Sequence, residues 1–318
     1  MNTVLIYVEH VGGVVEDASK ELIAHSIGLC DQVEALVCAA SQDQLNGIVG
    51  QLFGASTVIG ICDERLASYT SETVLKCLNS LIATRNPDLV VMSYSSAGMD
   101  LAASAAIGTE RNVISYVTEL KSDANAVNAV SQIYGGKMFA KTEVDLPAVV
   151  VMVPGTIDYA AVIEEKEIPQ LEVVDVELGE VVRMTVVGEI SPETDDVDLT
   201  KAERILCVGR ALGGTENLAQ FEELATKLGA ELAGSRPVID AGWLSKARQV
   251  GKSGTKVKPR LYFMAGVSGA PEHLEGMQDS ELIIALNSDE QAPIFSKAHY
   301  GAVCDMFQVV PALVEKLD

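Results

Sequence analysis

The chain has few of the side chains that build metal centres. Its six cysteines stand far apart with no C-x-x-C pair, and its four histidines show no metal-ligand spacing. Structural zinc and iron–sulfur sites need paired ligands, so we expect no metal site. The cysteines are expected to be small buried hydrophobic residues in a reducing compartment.

Long apolar runs and hydrolase motifs are also missing. No apolar run reaches the roughly 18–20 residues that span a bilayer, and the N-terminal MNTVLIYVEH has the pattern of a strand, not of a signal peptide. The sequence therefore predicts a soluble protein of the bacterial or archaeal cytoplasm, or of another reducing compartment. No Ser-His-Asp or Cys-His arrangement and no paired carboxylates in a constrained turn occur, so no catalytic residue is predicted.

Positive charge is scarce and unevenly distributed. The formal net charge is −22, and residues 1–200 hold 30 Asp and Glu against 10 Lys and Arg, whereas residues 201–318 hold 15 against 13. A protein this acidic repels a phosphate backbone, which argues against DNA or RNA as a partner.

The first half of the chain alternates strand and helix patterns. β-Branched runs predict strands at residues 4–9, 33–39, 56–62 and 88–94, and amphipathic patterns predict helices at 18–30, 42–53 and 71–85. Such alternation predicts a mostly parallel sheet with helices on both faces. Antiparallel-looking strands follow around NVISYVTEL, AVNAVSQIYGGKMFAKTEV and PAVVVMVPG.

An acidic segment precedes a second α/β unit. SPETDDVD at 191–198 has no apolar residue before Val197, and we place a linker at 191–200 between domains 1–190 and 201–318. Beyond it, strand-to-loop patterns occur at 205–214, 260–269 and 281–289, with a helix at 215–229 and a terminal helical region in AVCDMFQVVPALVEKL. The predicted fold class is α/β, with two doubly wound units in tandem.

One cationic, glycine-punctuated region interrupts the acidic chain. Residues 235–260 gather seven Lys and Arg against the single acid Asp240, and glycines occur at 251, 254, 266 and 269. Backbone amides and cations grouped in this way bind anions, which predicts a phosphate-bearing cofactor.

A second glycine loop leaves another function open. Residues 209–214 follow a strand and open a helix, as a dinucleotide loop does, but the spacing is not G-x-G-x-x-G. An NAD-dependent dehydrogenase is therefore a weak alternative, since the acid at the right distance, Glu231, follows a helix instead of ending a strand.

Six ordered motifs in the last part of the chain carry a family resemblance. They are GR at 209–210, AGSRPVIDAGW at 233–243, RQVGKSG at 248–254, AGVSGAPEHLEGM at 265–277, ALNSDEQAPIF at 285–295 and YGAVCDMFQVVPALVEKL at 300–317. In this order they resemble the alpha subunit of electron transfer flavoprotein, the family that includes the FixB proteins. Residues 1–190 resemble the family only in architecture and in short pieces such as YGG at 134–136.

The resemblance implies an N-terminal domain like the adenine nucleotide hydrolases and a C-terminal Rossmann-like domain that binds one FAD. It implies that Arg236 lies over the isoalloxazine ring, that Ser253 donates to flavin N5 and that His273 approaches the N1/O2 side. The complete set of FAD-binding residues that it implies is Arg210, Ser235, Arg236, Gln249, Val250, Gly251, Ser253, Gly254, Gly266, Ser268, Gly269, His273, Asn287, Asp289, Asp305 and Met306.

The resemblance also implies a heterodimer with a beta subunit, which is expected to hold AMP or a second FAD. Such a complex is an electron carrier, not an enzyme. It takes electrons from dehydrogenase flavins through an anionic semiquinone and passes them to a quinone oxidoreductase or another acceptor, without membrane insertion. The alternative is a complex that oxidises NADH and bifurcates its electrons. The acidic N-terminal domain is expected at the beta-subunit interface, although solubility explains its charge equally well.

Two positions depart from the usual family pattern. Lys252 stands where Gln usually precedes T-G or S-G, and Glu272 stands before His273 where Gln is usual. Both are expected to alter the redox potential but not FAD binding. A guanidinium at 236 and an imidazole at 273 are each expected to raise the quinone/semiquinone potential by on the order of 60–130 mV through charge-assisted hydrogen bonds.

Overall fold

A computed structural model describes residues 1–123, 125–134, 138–155, 159–163, 167–179, 183–184, 186–188 and 197–317. The chain divides into two compact units, Met1–Glu189 and Ile190–Asp318. Residues 191–196 of the predicted linker and both glycines of the YGG piece lie outside the described residues. Each unit is built on its own strand sheet flanked by helices, which confirms the α/β class with two units.

The first unit contains eleven described strands and five described helices. The strands are β1 (Thr3–Tyr7), β2 (His10–Val11), β3 (Val14–Val15), β4 (Gln32–Ala39), β5 (Thr57–Cys62), β6 (Leu89–Ser93), β7 (Asn112–Asp123), β8 (Ala126–Ile133), β9 (Met138–Asp145), β10 (Ala148–Met152) and β11 (Gln170–Val173). The helices are α1 (Asp17–Ile27), α2 (Gln42–Val49), α3 (Ser71–Arg85), α4 (Ser96–Gly108) and α5 (Tyr159–Val162).

Nine of these strands form one sheet in the order β11-β5-β4-β1-β6-β10-β7-β8-β9. Every pair from β11 to β7 is parallel, whereas β8 pairs antiparallel with both β7 and β9. From β1 the chain first adds β4 and β5 on one side of this strand. It then crosses to the other side, where β6 pairs with β1, so the strand order diverges at β1. That divergence makes the carboxyl end of β1 a topological switch point.

The structure corrects one prediction in this unit and adds one helix that was not predicted. The strand in PAVVVMVPG, β10, is parallel to both of its neighbours, not antiparallel. All five of its residues are buried, which is typical of a parallel strand covered on both faces. The helix α4 was not predicted, because its alanine-rich sequence has little amphipathic period, but Ser95 caps it by accepting from the Gly98 amide.

The second unit contains five described strands and four described helices. The strands are β12 (Arg204–Val208), β13 (Glu231–Gly234), β14 (Leu261–Ala265), β15 (Leu282–Asn287) and β16 (Tyr300–Val303), and the helices are α6 (Leu218–Leu228), α7 (Arg236–Asp240), α8 (Pro271–Leu274) and α9 (Met306–Lys316). The strands form an all-parallel sheet in the order β13-β12-β14-β15-β16. Residues 302 and 303, which were predicted within the terminal helical region, belong to β16 instead.

A buried apolar layer on each face of this sheet fixes the helices. Phe221 of α6 and Val310 of α9 are fully buried against one face with Leu206 and Val208 of β12. The connection from β12 leads to β13 at one edge of the sheet, and the connection from β14 leads to β15 toward the other edge. The switch point therefore lies between β12 and β14. None of the helices in the described part of the chain has the length and apolar character needed to cross a bilayer.

Candidate functional site

The carboxyl edge of the second sheet brings most of the predicted site residues together. Ligands of open parallel sheets bind at this edge, because the loops that follow the strands meet there. Each of the five strands contributes predicted residues at this edge. They are Arg210 after β12, Ser235 and Arg236 after β13, Gly266, Ser268 and Gly269 after β14, Asn287 at the end of β15 and Asp289 after it, and Asp305 and Met306 after β16.

Two of these loops approach each other so closely at the switch point that neither has room for a side chain. A Cβ on Gly209 would lie 1.9 Å from the carbonyl oxygen of Gly266. Gly266 itself has φ +69°, and a Cβ there would lie 2.7 Å from the Cβ of Ala211 and 2.9 Å from Sδ of Met306. Glycine is the residue that permits such contacts.

The end of the same β14 loop repeats this arrangement. Gly269 has φ +82°, and a Cβ on it would lie 2.4 Å from the backbone nitrogen of Ile294. The Ile294 amide donates to the carbonyl of Ser268 at 3.1 Å, which fixes the loop against the turn that follows β15. The glycines of 266–269 therefore form a close-packed cradle at the switch point.

The loop 249–254 is held against β13 by backbone and side-chain bonds. The Val250 amide donates to the Gly234 carbonyl at 3.1 Å. Lys246 Nζ donates to Oε1 of Gln249 at 2.6 Å, and because an ammonium group only donates, this contact orients the amide. Nε2 of the fully buried Gln249 then donates to Oγ of Ser253 at 2.9 Å. The exposed Ser253 hydroxyl thus accepts from the protein and keeps its own proton for another partner.

The same loop packs on the short helix α8. The Lys252 amide donates to the Glu272 carbonyl at 2.7 Å. A Cβ on Gly276 would lie 2.5 Å from Cα of Gly251, which itself has φ +140°. Two glycine backbones in contact therefore join the loop to the helix that carries His273.

His273 lies beneath this loop in the interior of the unit. Its Nε2 lies 3.2 Å from the Tyr262 hydroxyl and 4.0 Å from Sγ of Cys207. Burial lowers the pKa of His273 to about 4, with the Val250 backbone opposing that shift, so the ring is neutral at pH 7. Its Nδ1 is buried and has no side-chain partner among the described residues, while the effect of Val250 is that of a backbone hydrogen bond to the ring.

The ring at 273 is an imidazole, as expected, so a hydrogen bond from it to an anion would take its charge assistance from the anion alone. The approach of His273 to a flavin itself stays a prediction. Tyr262 and Cys207 were not predicted to belong to the site. The available signal was a tyrosine within the otherwise apolar strand LYFMA, because a buried hydroxyl needs a partner.

Most of the cations in the 235–260 region have acidic or carbonyl partners. Arg236 pairs with Asp240 at 3.4 Å, and both side chains are exposed, at 68% and 64%. Lys252 and Lys256 lie 3.5 Å and 3.6 Å from the same carboxylate, Glu275, whose side chain is 11% exposed. The positive field of this region is therefore weaker than its composition indicates.

The side chains at the ends of β15 and β16 organise their own turns. Asn287 Nδ2 donates to the Val267 carbonyl at 2.9 Å, and its Oδ1 accepts from the Asp289 amide at 2.9 Å. Asp305 caps α9 by accepting from the Phe307 amide at 2.9 Å. These residues lie at the predicted edge, and each has a structural role without a ligand.

The first unit has a cavity of about 700 Å³ at its own switch point, by the carboxyl ends of β1 and β6. Its described lining includes the carboxylates of Glu9, Glu16 and Asp100 and no lysine or arginine. Burial raises the pKa of Glu9, which accepts from the Ser95 hydroxyl at 2.7 Å. A phosphate-bearing ligand therefore fits the edge of the second sheet better than this acidic cavity.

Two family matches cover most of the chain. Residues 4–178 match the electron transfer flavoprotein domain, and residues 198–278 match the electron transfer flavoprotein FAD-binding domain. The first match extends the resemblance well into the N-terminal half, where the sequence motifs alone were short.

Curated relatives agree with both matches. The chain is 33% identical over 265 residues to the electron transfer flavoprotein subunit alpha of Bacillus subtilis, covering 83% of this chain and 81% of the relative. It is 31% identical over 321 residues to protein FixB of Bradyrhizobium diazoefficiens, covering 98% and 87%. It is 30% identical over 313 residues to the subunit alpha of Syntrophomonas wolfei, covering 98% of both chains.

Proposed function

The chain belongs to the electron transfer flavoprotein alpha-subunit family, and on that premise we propose that it binds one FAD at the carboxyl edge of its second sheet and carries electrons in a heterodimer with a beta subunit. Its electrons come from the flavins of dehydrogenases and pass to a quinone oxidoreductase or another acceptor. The acidic first unit contributes to the interface with the beta subunit.

The observation that carries this proposal is the glycine cradle together with two side chains that can donate hydrogen bonds. The backbones at Gly209, Gly266 and Gly269 exclude any larger residue. The buried Nδ1 of His273 has no side-chain partner among the described residues, and the Ser253 hydroxyl keeps a proton to donate. A dinucleotide with a hydrogen-bonding ring system fits this donor set, because the cradle suits a pyrophosphate and the two donors suit ring acceptors.

The residues divide by chemistry into three groups. The cradle 266–269 and the exposed Arg210 hold the pyrophosphate through backbone amides and one guanidinium. Ser253, His273 and Arg236 surround the ring system. Asn287, Asp289 and Asp305 lie on the adenosine side, with Ser235, Gln249, Val250, Gly251, Gly254 and Met306 shaping the walls.

FAD supplies the redox chemistry, because its ring system accepts and releases single electrons. The protein's residues tune where negative charge is stabilised. Arg236 places a cation at the ring, and Ser253 offers a hydroxyl proton to a ring nitrogen. His273 acts as an uncharged donor. Lys252 contributes little, because Glu275 lies 3.5 Å from its ammonium group.

A spectrum of the chain purified with its beta subunit tests the proposal. One FAD per heterodimer, reduced in single-electron steps by dithionite and unaffected by NADH, is the expected result. Two FADs with bleaching by NADH would replace the carrier with an NADH-oxidising, bifurcating complex. Absence of flavin, both as purified and after incubation with FAD, would refute the proposal.

A matched pair of variants locates the cofactor. Gly269→Val places a side chain against Ile294 at the cradle, whereas Gly242→Ala adds a Cβ at φ +72° with nothing within 4 Å. We expect the first heterodimer to lose FAD and the second to keep it. Full FAD occupancy in a folded Gly269→Val heterodimer would place the cofactor elsewhere.

A further inference from the structure

We propose that Tyr262 is a positioning residue, whose hydroxyl donates to Nε2 of His273 and holds the ring as the neutral Nδ1–H tautomer. The inference about the tautomer concerns this chain alone. Its consequence for FAD, a fixed uncharged donor at Nδ1, rests on the proposed function. Tyr262 itself is fully buried as the second residue of β14 and acts through the histidine.

The tautomer follows from the choice of acceptors around the Tyr262 hydroxyl. A buried hydroxyl proton needs an acceptor, and two groups lie near: Nε2 of His273 at 3.2 Å and the sulfur of Cys207. Sulfur is a weak acceptor, whereas an unprotonated imidazole nitrogen is a strong one. If Nε2 carried the ring proton, the Tyr262 proton would be left with the sulfur alone. The lower-energy arrangement therefore has Tyr262 donating to Nε2, and a neutral ring then carries its proton on Nδ1.

The other groups around the ring keep it uncharged. Burial raises the pKa of Cys207 to about 12, and burial raises the pKa of Tyr262 well above its usual value. Neither group is therefore an anion that would favour an imidazolium. The ring also has a hydrogen bond with the backbone of Val250, which belongs to the loop that also carries Ser253. The Nδ1–H is thus an uncharged donor at the base of that loop.

The experiment compares the full chain with Tyr262→Phe, which removes only the hydroxyl. Tyr300→Phe is the matched control, because Tyr300 is a 69% exposed tyrosine on the edge strand of the same unit. Nitrogen-15 labelling of histidine reports the tautomer directly, and only four histidines are present, so His273→Gln assigns the signal. No cofactor is needed for this measurement.

We expect the wild-type signal of His273 to show a protonated Nδ1 and an unprotonated Nε2. In Tyr262→Phe the protonation should move toward Nε2, while Tyr300→Phe matches the wild type. A wild-type ring protonated at Nε2 would overturn the inference. So would a Tyr262→Phe ring that keeps the wild-type pattern, because the hydroxyl would then not set the tautomer.

A second readout connects the tautomer to FAD. Losing one oriented neutral hydrogen bond should weaken FAD binding to the Tyr262→Phe heterodimer by about twofold to tenfold, with Tyr300→Phe unchanged. An unchanged FAD affinity together with a shifted tautomer would overturn the positioning role toward the flavin. A wild-type heterodimer that shows the expected tautomer but takes up no FAD would support the tautomer and refute the proposed function.

Discussion

The charge of Arg236 provides the most direct test of flavin tuning. Two unit charges about 4 Å apart interact by about 1 kcal/mol in water and about 4 kcal/mol at the effective dielectric of a protein surface. The Arg236 side chain is 68% exposed and has Asp240 at 3.4 Å, so the lower part of this range applies. We take about 1.5 kcal/mol, the lower end for a charge-assisted hydrogen bond. A tenfold change in an equilibrium constant corresponds to about 1.4 kcal/mol and, for one electron, to ~59 mV, so this energy corresponds to about 60 mV.

Arg236→Ala should therefore lower the first one-electron potential of bound FAD by about 60 mV. Asp240→Asn should shift it in the opposite direction by about 20 mV, because the guanidinium loses its counter-charge. Arg260→Ala is the matched control. Arg260 is 69% exposed and lies 4.0 Å from the exposed Glu203, but it precedes β14 at the other edge of the sheet.

Spectroelectrochemical titration of the three heterodimers against the wild type gives these potentials. Shifts of the same sign for Arg236→Ala and Asp240→Asn would refute the electrostatic account. A shift for Arg260→Ala as large as that for Arg236→Ala would show that overall charge, not position at the site, sets the potential.

Three further predictions concern stability and the departures from the family pattern. In urea unfolding, Gly209→Ala should lower the free energy of unfolding by about 2–4 kcal/mol, because its Cβ would meet a backbone carbonyl. The control Gly242→Ala should lower it by about 1 kcal/mol. Equal losses in the two variants would contradict the close approach at Gly209. The folded-state pKa of His273 lies near 4, below its unfolded value of about 6.5, so the unfolded chain binds the extra proton as pH falls. Relative to His273→Gln, the wild type should lose about 3 kcal/mol of unfolding free energy between pH 7 and pH 4, and a constant difference would show that the ring is not buried neutral. Lys252→Gln should change the flavin potential by less than about 20 mV, since Glu275, which Lys252 shares with Lys256, offsets part of the charge of the ammonium group. A shift as large as that of Arg236→Ala would contradict this pairing.

Sequence patterns were sufficient for the elements that obey one strong local rule. The helix at 71–85 was predicted with the bounds that the structure has, because a full amphipathic pattern is followed by Asn86, whose φ of 45° suits a left-handed end to a helix. The strand before Gly209 and its glycine loop were predicted for the same kind of reason. In contrast, β13 and β16 have only four residues each, and short strands carry little periodic signal.

Pairing direction could not be read from the sequence. The strand β10 follows the antiparallel strands β8 and β9 along the chain, and nothing local states that it returns to lie between β6 and β7. Its uniformly apolar sequence was the available signal, since a strand buried on both faces is typical of a parallel sheet. Long-range pairing depends on how the whole sheet closes, which no window of the sequence contains.

The site shows the same division between local and long-range information. Residues at the ends of strands could be predicted to share an edge, because parallel strands bring their carboxyl ends together. The protonation of His273 could not be predicted in this way, since it depends on packing against Tyr262 and against Cys207, which lie on two neighbouring strands 11 and 66 residues away in sequence. Under the proposed function, Arg236 is the group whose charge at the ring does not depend on burial, while His273 contributes direction without charge.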